Sequence, residues 1–293
     1  MITLFTILHY FFAAVVDGLD KVLISQRKIL PLSYAFWSVV TGLGVIIGWP
    51  WVYESLALGS VGLDLAAGAL FSLTLYVFFK AVSQGEISRV VPFIFGLAPV
   101  FDVLIGLATG RNPLGTSEVA AISLLVPGAL LISYRKGFWG KHVLLKLFSA
   151  FLWSAYFAFW QFAASSGGTM NHFMWSRVGA AGILILLLII PVFRRAALKH
   201  QHIENKKSTA GLFLFKQALG GANLIFLSWL LVAGKISVIN SLQGFRYVFL
   251  FLGALALTHY HNRLLQEEVD RHTLRQKIAG LALVFLGTII LFR

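Results

Sequence analysis

Residues 69 to 88, ALFSLTLYVFFKAVSQGEIS, return without a gap as residues 218 to 237, ALGGANLIFLSWLLVAGKIS, at a constant offset of 149 in a chain of 293. Ala69/Ala218, Leu70/Leu219, Leu75/Leu224, Gly85/Gly234, Ile87/Ile236 and Ser88/Ser237 are identical, so the GEIS that closes one apolar run comes back as the GKIS that closes another. An almost wholly apolar chain that repeats at about half its length carries the sequence signature of a secondary transporter.

Hydrophobic residues make up 58% and charged residues 12% of the sequence, against roughly 45–50% and about 25% in soluble domains. That composition describes an integral membrane protein of the all-α class, multi-pass and placed in the cell (cytoplasmic) membrane. The absence of cysteine excludes a disulfide framework and any thiolate metal site. MITLFTILHYFF enters an apolar run with no basic n-region and no small-residue cleavage site, so it reads as a retained first span. The net charge of +13 sits in short loops between apolar runs, which assigns it to anionic membrane lipids and not to nucleic acid.

About ten apolar segments can be cut at polar or turn-rich gaps: 2 to 24, 32 to 52, 62 to 83, 88 to 109, 117 to 134, 144 to 165, 172 to 193, 210 to 233, 237 to 258 and 276 to 292. Beyond the opening match, segments one and six align through Phe11 and Phe151, and two and seven through Trp37-Ser38 and Trp175-Ser176. Five and ten align through Pro127-Gly128-Ala129-Leu130 and Leu286-Gly287-Thr288-Ile289. The expected fold is therefore two five-helix repeats, 1–138 and 139–293. An odd number of crossings inverts the second repeat relative to the first about an axis in the membrane plane.

Lysine and arginine divide sharply between the two faces. The gaps after segments one, three, five, seven and nine, with the segment ends that flank them, hold 18 of them, while Arg111, Lys235 and Arg293 hold the other face. The positive-inside rule then puts the odd gaps in the cytoplasm and both termini outside.

With these repeats in view, the chain resembles the drug/metabolite transporter superfamily, in its ten-span EamA-type members. The likeness runs through the two five-span units, the ISRVVPFIFGLAPVFDVLIGL segment (87 to 107), and the terminal PGALLIS (127 to 133) and LGTIILF (286 to 292). Arg177 matches the arginine common early in the second span of a unit in that family; its first-half counterpart is Val39. Two turns depart from the pattern: Gly110-Arg111 replaces the usual Gly-Glu, and residues 259 to 277 form an expanded turn. The resemblance implies a carrier whose cavity is lined by spans three, four, eight and nine, with one and six. The family is usually drawn with both termini cytoplasmic, opposite to the charge count.

The strongest polar constellation lies in segment nine. Asn240, Gln243, Gly244 and Tyr247 are spaced i, i+3, i+4 and i+7, a single helix face, with Arg246 beside them. An arginine at that depth needs water, a carboxylate or an anionic substrate, and the alternative role is a structural pair with a neighbouring helix. Asn223 in segment eight is placed to share the cavity, whereas Lys216 so near a helix end is expected to snorkel to the interface. Asp102, three residues past Pro99, is either a proton site, a partner for Arg246, or a headgroup-boundary residue. Asp17 is the deeper proton-coupling candidate in segment one, while Asp20 and Lys21 read as an interfacial pair. Tyr76, Trp153, Tyr156, Trp160 and Tyr247 supply an amphipathic aromatic wall suited to amino-acid-like or drug-like metabolites.

Gly44/Gly48 and Gly106/Gly110 have GxxxG spacing and are expected at close helix contacts. The histidines at 200, 202, 259, 261 and 272 lie in basic loops without ligand-spaced partners, so no metal is expected. Trp51, Tyr53, Trp139 and Tyr260 read as an aromatic belt. No GxxxxGK[ST], GxSxG or HExxH occurs, which leaves nucleotide-driven transport and hydrolysis without a sequence handle and no cofactor implied. The sequence thus points to a non-enzymatic secondary carrier for a small polar or amphipathic metabolite, monomer or homodimer, working either by proton coupling through the acids named or by exchange. A membrane-embedded transferase on lipid-linked substrates and a non-transporting scaffold are the other two classes. If the charge bias governs insertion, a reporter fused after Arg293 will be extracytoplasmic and one within 194 to 207 cytoplasmic; the reverse pattern would restore the family's customary orientation.

Overall fold

Hydrocarbon leaves backbone N–H and C=O groups nothing to bond to, so apolar runs of this length close their own hydrogen bonds as helices. A computed structural model describes residues 2–51, 58–110, 115–134, 141–163, 169–199, 205–233, 242–260 and 271–291, and every regular element among them is helical. α1 (Ile2–Lys21) runs into one π-helical turn, Val22–Gln26. Lys28 then takes a positive φ of 53°, and Pro31 opens α2 (Pro31–Gly42) from the position where its missing N–H is no loss. α2 tightens into a 3₁₀ stretch, Leu43–Trp51. There follow α3 (Leu58–Ser83), α4 (Ile87–Ala108, with Pro92 and Pro99 inside it), α5 (Thr116–Ser133) and α6 (Lys141–Ala163). α7 (Thr169–Leu187) bends by 114° into the short α8 (Pro191–Ala197). α9 (Lys206–Ala233), α10 (Gly244–Tyr260) and α11 (Arg271–Leu291) complete the chain.

Among the described residues seven helices are long and apolar enough to cross a membrane, or eight if α7 and α8 form one broken span. The remaining apolar helices, Thr116–Ile132 and Gly244–Leu257, are shorter than a full crossing. Residues 234–241, which open the expected ninth segment, lie outside the described residues.

The packing centres on α4. Its first half, Ile87 to Ala98, is buried on all sides because α5, α6, α10 and α1 surround it. α1 packs on α9 and α10; α3 packs on α6, α7 and α2; α5 and α11 form the most extensive helix pair. A second, smaller core joins Phe36 and Val39 of α2 to Ala180, Ala181 and Leu184 of α7 and Ala197 of α8.

Glycine sets the closest approaches, but not at the expected GxxxG pairs. A Cβ on Gly68 would fall 2.0 Å from the Ser176 carbonyl oxygen, and one on Gly179 2.3 Å from that of Leu65, so α3 and α7 meet backbone to backbone. In the α5/α11 seam a Cβ on Gly280 would fall 2.8 Å from the Gly128 carbonyl and one on Gly287 3.0 Å from that of Ala121, an antiparallel match. Gly44, Gly106 and Gly110 have nothing within 4 Å, and Gly48 meets only the Met174 methyl at 3.9 Å. The physical reason is local: Gly44 and Gly48 belong to the 3₁₀ stretch, and Gly110 serves the turn after α4, where its φ is +67°. Gly179→Leu and Gly287→Leu should each lower the thermal midpoint of the detergent-solubilised protein, overpacking costing about 1–3 kcal/mol. Gly44→Ala and Gly106→Ala should leave it unchanged; equal midpoints for all four variants would remove the two seams as close contacts.

Candidate functional site

One face of α1 carries the polar residues of the interior. Thr6, His9, Tyr10, Ala13, Ala14, Asp17, Asp20 and Lys21 are its buried positions, recurring at three- and four-residue steps. That face lies against α9 and α10, and each acid on it finds a cation from one of them.

Asp17 receives the planar fork of Arg246, with Nε at 2.7 Å from Oδ2 and Nη2 at 2.8 Å from Oδ1. The Asp17 side chain is 4% exposed and that of Arg246 16%, so the pair is largely buried and the guanidinium is the more accessible partner. The ring of Phe95 on α4 lies 4.4 Å from the guanidinium carbon, and the Tyr10 and Tyr247 hydroxyls act on its charge. His9 Nδ1 stands 2.8 Å from Asn223 Oδ1; an amide oxygen only accepts, so the ring nitrogen donates. Tyr10 sits edge-on to His9 at 4.9 Å. A two-signed charge pair, an amide, an imidazole and two phenols thus meet where α1, α4, α9 and α10 come together. This arrangement can exchange a protein ion pair for the carboxylate and ammonium of a zwitterion.

Aromatic rings extend the site toward α6. Phe95 contacts Trp153 at 5.3 Å, and Trp153 in turn stacks on Phe157 at 5.5 Å and meets Tyr156 at 6.1 Å. The Tyr156 hydroxyl accepts from Arg177 Nη2 at 2.8 Å, and the Arg177 guanidinium is held over Phe71 at 3.8 Å and Phe173 at 4.6 Å. Trp153 therefore belongs to the wall around Arg246, whereas the polar end of Tyr156 is committed to Arg177.

Several sequence expectations are revised by these contacts. Arg246 is balanced by Asp17, not by Asp102, which is exposed on α4. Lys216 does not snorkel: it is 6% exposed and pairs with Asp20 at 2.7 Å, over the rings of Tyr34 and Phe79. Asp20 is consequently not paired with Lys21. It accepts from the Tyr34 hydroxyl as well, while Lys21 turns to the carbonyls of Val82 and Gly85 that end α3. Gln243 sits in the turn ahead of α10, its carbonyl accepting from the Arg246 N–H at 3.0 Å, and Asn240 lies outside the described residues. Tyr76 is half-buried, with the Lys80 ammonium 5.8 Å over its ring. Trp51 is 79% exposed as a belt residue would be, whereas Tyr53 and Trp139 lie outside the described residues. Among the described residues no group of three or more histidine, cysteine or acidic side chains is close enough to hold a metal.

Two buried features escaped the sequence reading. His9 was unremarked beside the acids, although it is the group that fixes Asn223. Asp64 and His172 form a 2.7 Å pair between α3 and α7 with both side chains at 0% exposure. A lone acid near the start of an apolar span was the available signal for it.

No protein-family profile matches the chain, and no curated protein matches it. A solved structure described only as "Crystal structure of protein" superposes on 99% of this chain and 94% of its own, with a TM-score of 0.58 at 16% identity. At that identity the likeness is one of fold.

Breaking a buried ion pair from one side strands the other charge, so Asp17→Asn and Arg246→Gln should each destabilise by about 3–5 kcal/mol. The double variant should lose less than the two together, as read by denaturation midpoints in detergent; additive losses would mean that the two groups do not interact in solution.

Proposed function

We propose that this protein is a secondary carrier of the drug/metabolite transporter type, which moves a small zwitterionic or polar amphipathic metabolite across the cytoplasmic membrane. The observation that carries this reading is the Asp17–Arg246 pair under Phe95, a matched pair of charges at the meeting of four helices, with the guanidinium side chain still 16% exposed. A substrate carboxylate takes the place of Asp17 on Arg246, its ammonium takes the place of Arg246 on Asp17, and Phe95 and Trp153 hold its apolar part. Exchange of one ion pair for two keeps every charge partnered while substrate is bound.

In this reading the chain has ten spans in two inverted units, 1–138 and 139–293, with the odd gaps cytoplasmic. Pairwise contacts support it. With the sequence offsets of the repeat, Gly128 against Val284 becomes Gly287 against Leu125, and both contacts occur. The pair Gly280 and Gly128 maps onto Ala121 and Gly287, which are also in close contact, although there Gly287 lies over the Ala121 carbonyl. Across the other helix pairs, Gly68 against the Ser176 carbonyl corresponds to Gln217 and Ser38, where the glutamine amide donates to the Ser38 carbonyl at 2.9 Å. Asp64–His172 corresponds to the Tyr34–Phe213 ring pair at 5.6 Å.

The correspondence fails at one place, and the failure has a functional reading. Ser72 donates to the Ala180 carbonyl at 2.9 Å, joining α3 to α7, but the matching Gly221 and Gly42 each have nothing within 4 Å. A difference in packing between matched seams is the kind of asymmetry that alternating access would use. The chain has no cysteine, so cysteine pairs at 72/180 and at 42/221 can be cross-linked without background. With a ligand identified by thermal shift among amino acids, nucleosides, sugars and phosphorylated metabolites, the two pairs should change cross-linking yield in opposite senses. The Asp17→Asn, Arg246→Gln double variant should lose that response. Unchanged yields at both pairs under a bound ligand would reject the carrier reading.

A further inference from the structure

The turn between α3 and α4 collects buried positive charge from three other helices. Glu86 in that turn accepts from Arg89 Nε at 2.9 Å and from Lys277 Nζ of α11 at 2.6 Å. Lys277 also donates to Ser88 Oγ at 2.9 Å, and Arg89 Nη1 to the Tyr134 carbonyl at 2.7 Å. Lys21 of α1 donates to the Val82 and Gly85 carbonyls at 2.9 and 2.6 Å. Lys146 of α6 reaches the same turn, its Nζ 3.9 Å from where a Cβ on Gly85 would be, and its charge acts on both Arg89 and Glu86.

All five side chains belong to residues no more than 9% exposed, so the cluster is sheltered from water. Among the described residues it contains four cations and one carboxylate. Carbonyls at the ends of α3 and α5 answer part of the charge on Lys21 and Arg89. Lys146 differs from the rest: 9% exposed, it has no oxygen within hydrogen-bond distance among the described residues and meets only the Phe93 ring, at 5.9 Å. An ammonium without a protein acceptor is favourably placed for an anion that supplies one.

We propose that this cluster is a binding site for a phosphate-class oxyanion, held by Lys146 with Lys21 and Arg89 beside it. A tetrahedral anion offers several oxygens to donors that reach the turn from different helices, which a monatomic anion does not. The site is separate from the Asp17–Arg246 pair and does not depend on the transport reading. Its helix ends all lie on the face to which the arginine and lysine bias assigns the cytoplasm. There a phosphate is available both as an anionic lipid headgroup and in free form.

The test uses the whole chain, delipidated in a maltoside detergent without phosphate, and reads the thermal midpoint. Inorganic phosphate added at constant ionic strength against chloride forms one arm, and phosphatidylglycerol against phosphatidylcholine in mixed micelles forms the other. A saturable rise with phosphate identifies the free anion, and a rise with phosphatidylglycerol that exceeds phosphatidylcholine identifies the headgroup. Lys146→Gln should abolish the rise, Lys146→Arg should retain it, and Lys146→Gln should be no less stable than the parent before any anion is added. No rise in either arm, or a rise of the same size in Lys146→Gln, overturns the proposal. Should Lys146→Gln not fold, the two arms on the parent chain and on Lys146→Arg decide the matter: no rise in both overturns the site, and a rise retained by Lys146→Arg supports it.

Discussion

Hydrocarbon solvates no charge, so the acids that these helices turn inward need cations or donors, and for Asp17, Asp20, Asp64 and Glu86 another helix supplies them. The inter-helix fastenings follow from that constraint. Asp17 joins α1 to α10, Asp20 joins α1 to α9 and α2, Asp64 joins α3 to α7, and Glu86 joins the α3/α4 turn to α11. Each acid sits between helices far apart in sequence, so the pairs fix which helices are neighbours, while the apolar surface between them fixes only that they are close.

Shape completes what charge begins. The α3/α7 and α5/α11 seams are drawn together by glycines whose missing Cβ lets backbone meet backbone, and dispersion at that distance replaces the hydrophobic drive that lipid does not provide. The Asp17–Arg246 pair lies away from both seams, in a region lined by rings and phenols. Paired charge of both signs beside aromatic rings is the combination that a polar amphipathic guest needs.

Membrane class, helical fold and the ends of most helices were legible in the sequence, because composition and the spacing of apolar runs are local properties. Gly128 and Gly287, which the sequence aligns, both stand at close contacts of the α5/α11 seam. Ion partners were not legible. Nothing local distinguishes Asp17 from Asp102 as the mate of Arg246; the choice depends on α1 crossing α10, a contact between positions 229 residues apart. Lys216 misled for the same reason: position near a helix end argues for snorkelling, and only the proximity of Asp20 reverses it. GxxxG spacing misled at Gly44/Gly48 and Gly106/Gly110 because the motif records small residues and not what faces them, whereas Gly68 and Gly179 stood in no such pair and meet opposing backbone.

The α5/α11 seam reads the same from either helix: Gly128 finds Val284 where Gly287 finds Leu125. On the proposed correspondence of the halves, a surface of this kind fits an upside-down copy of itself, so a single five-helix unit inserted in both orientations would already possess its partner. Joining two such units in one chain adds no new interface; it fixes their ratio and frees each copy from having to serve both roles. The inherited positions could then part ways, one copy holding Asp64 against His172 and the other Phe213 against Tyr34. Ancestry of that kind leaves symmetry in the seam and difference at the ends.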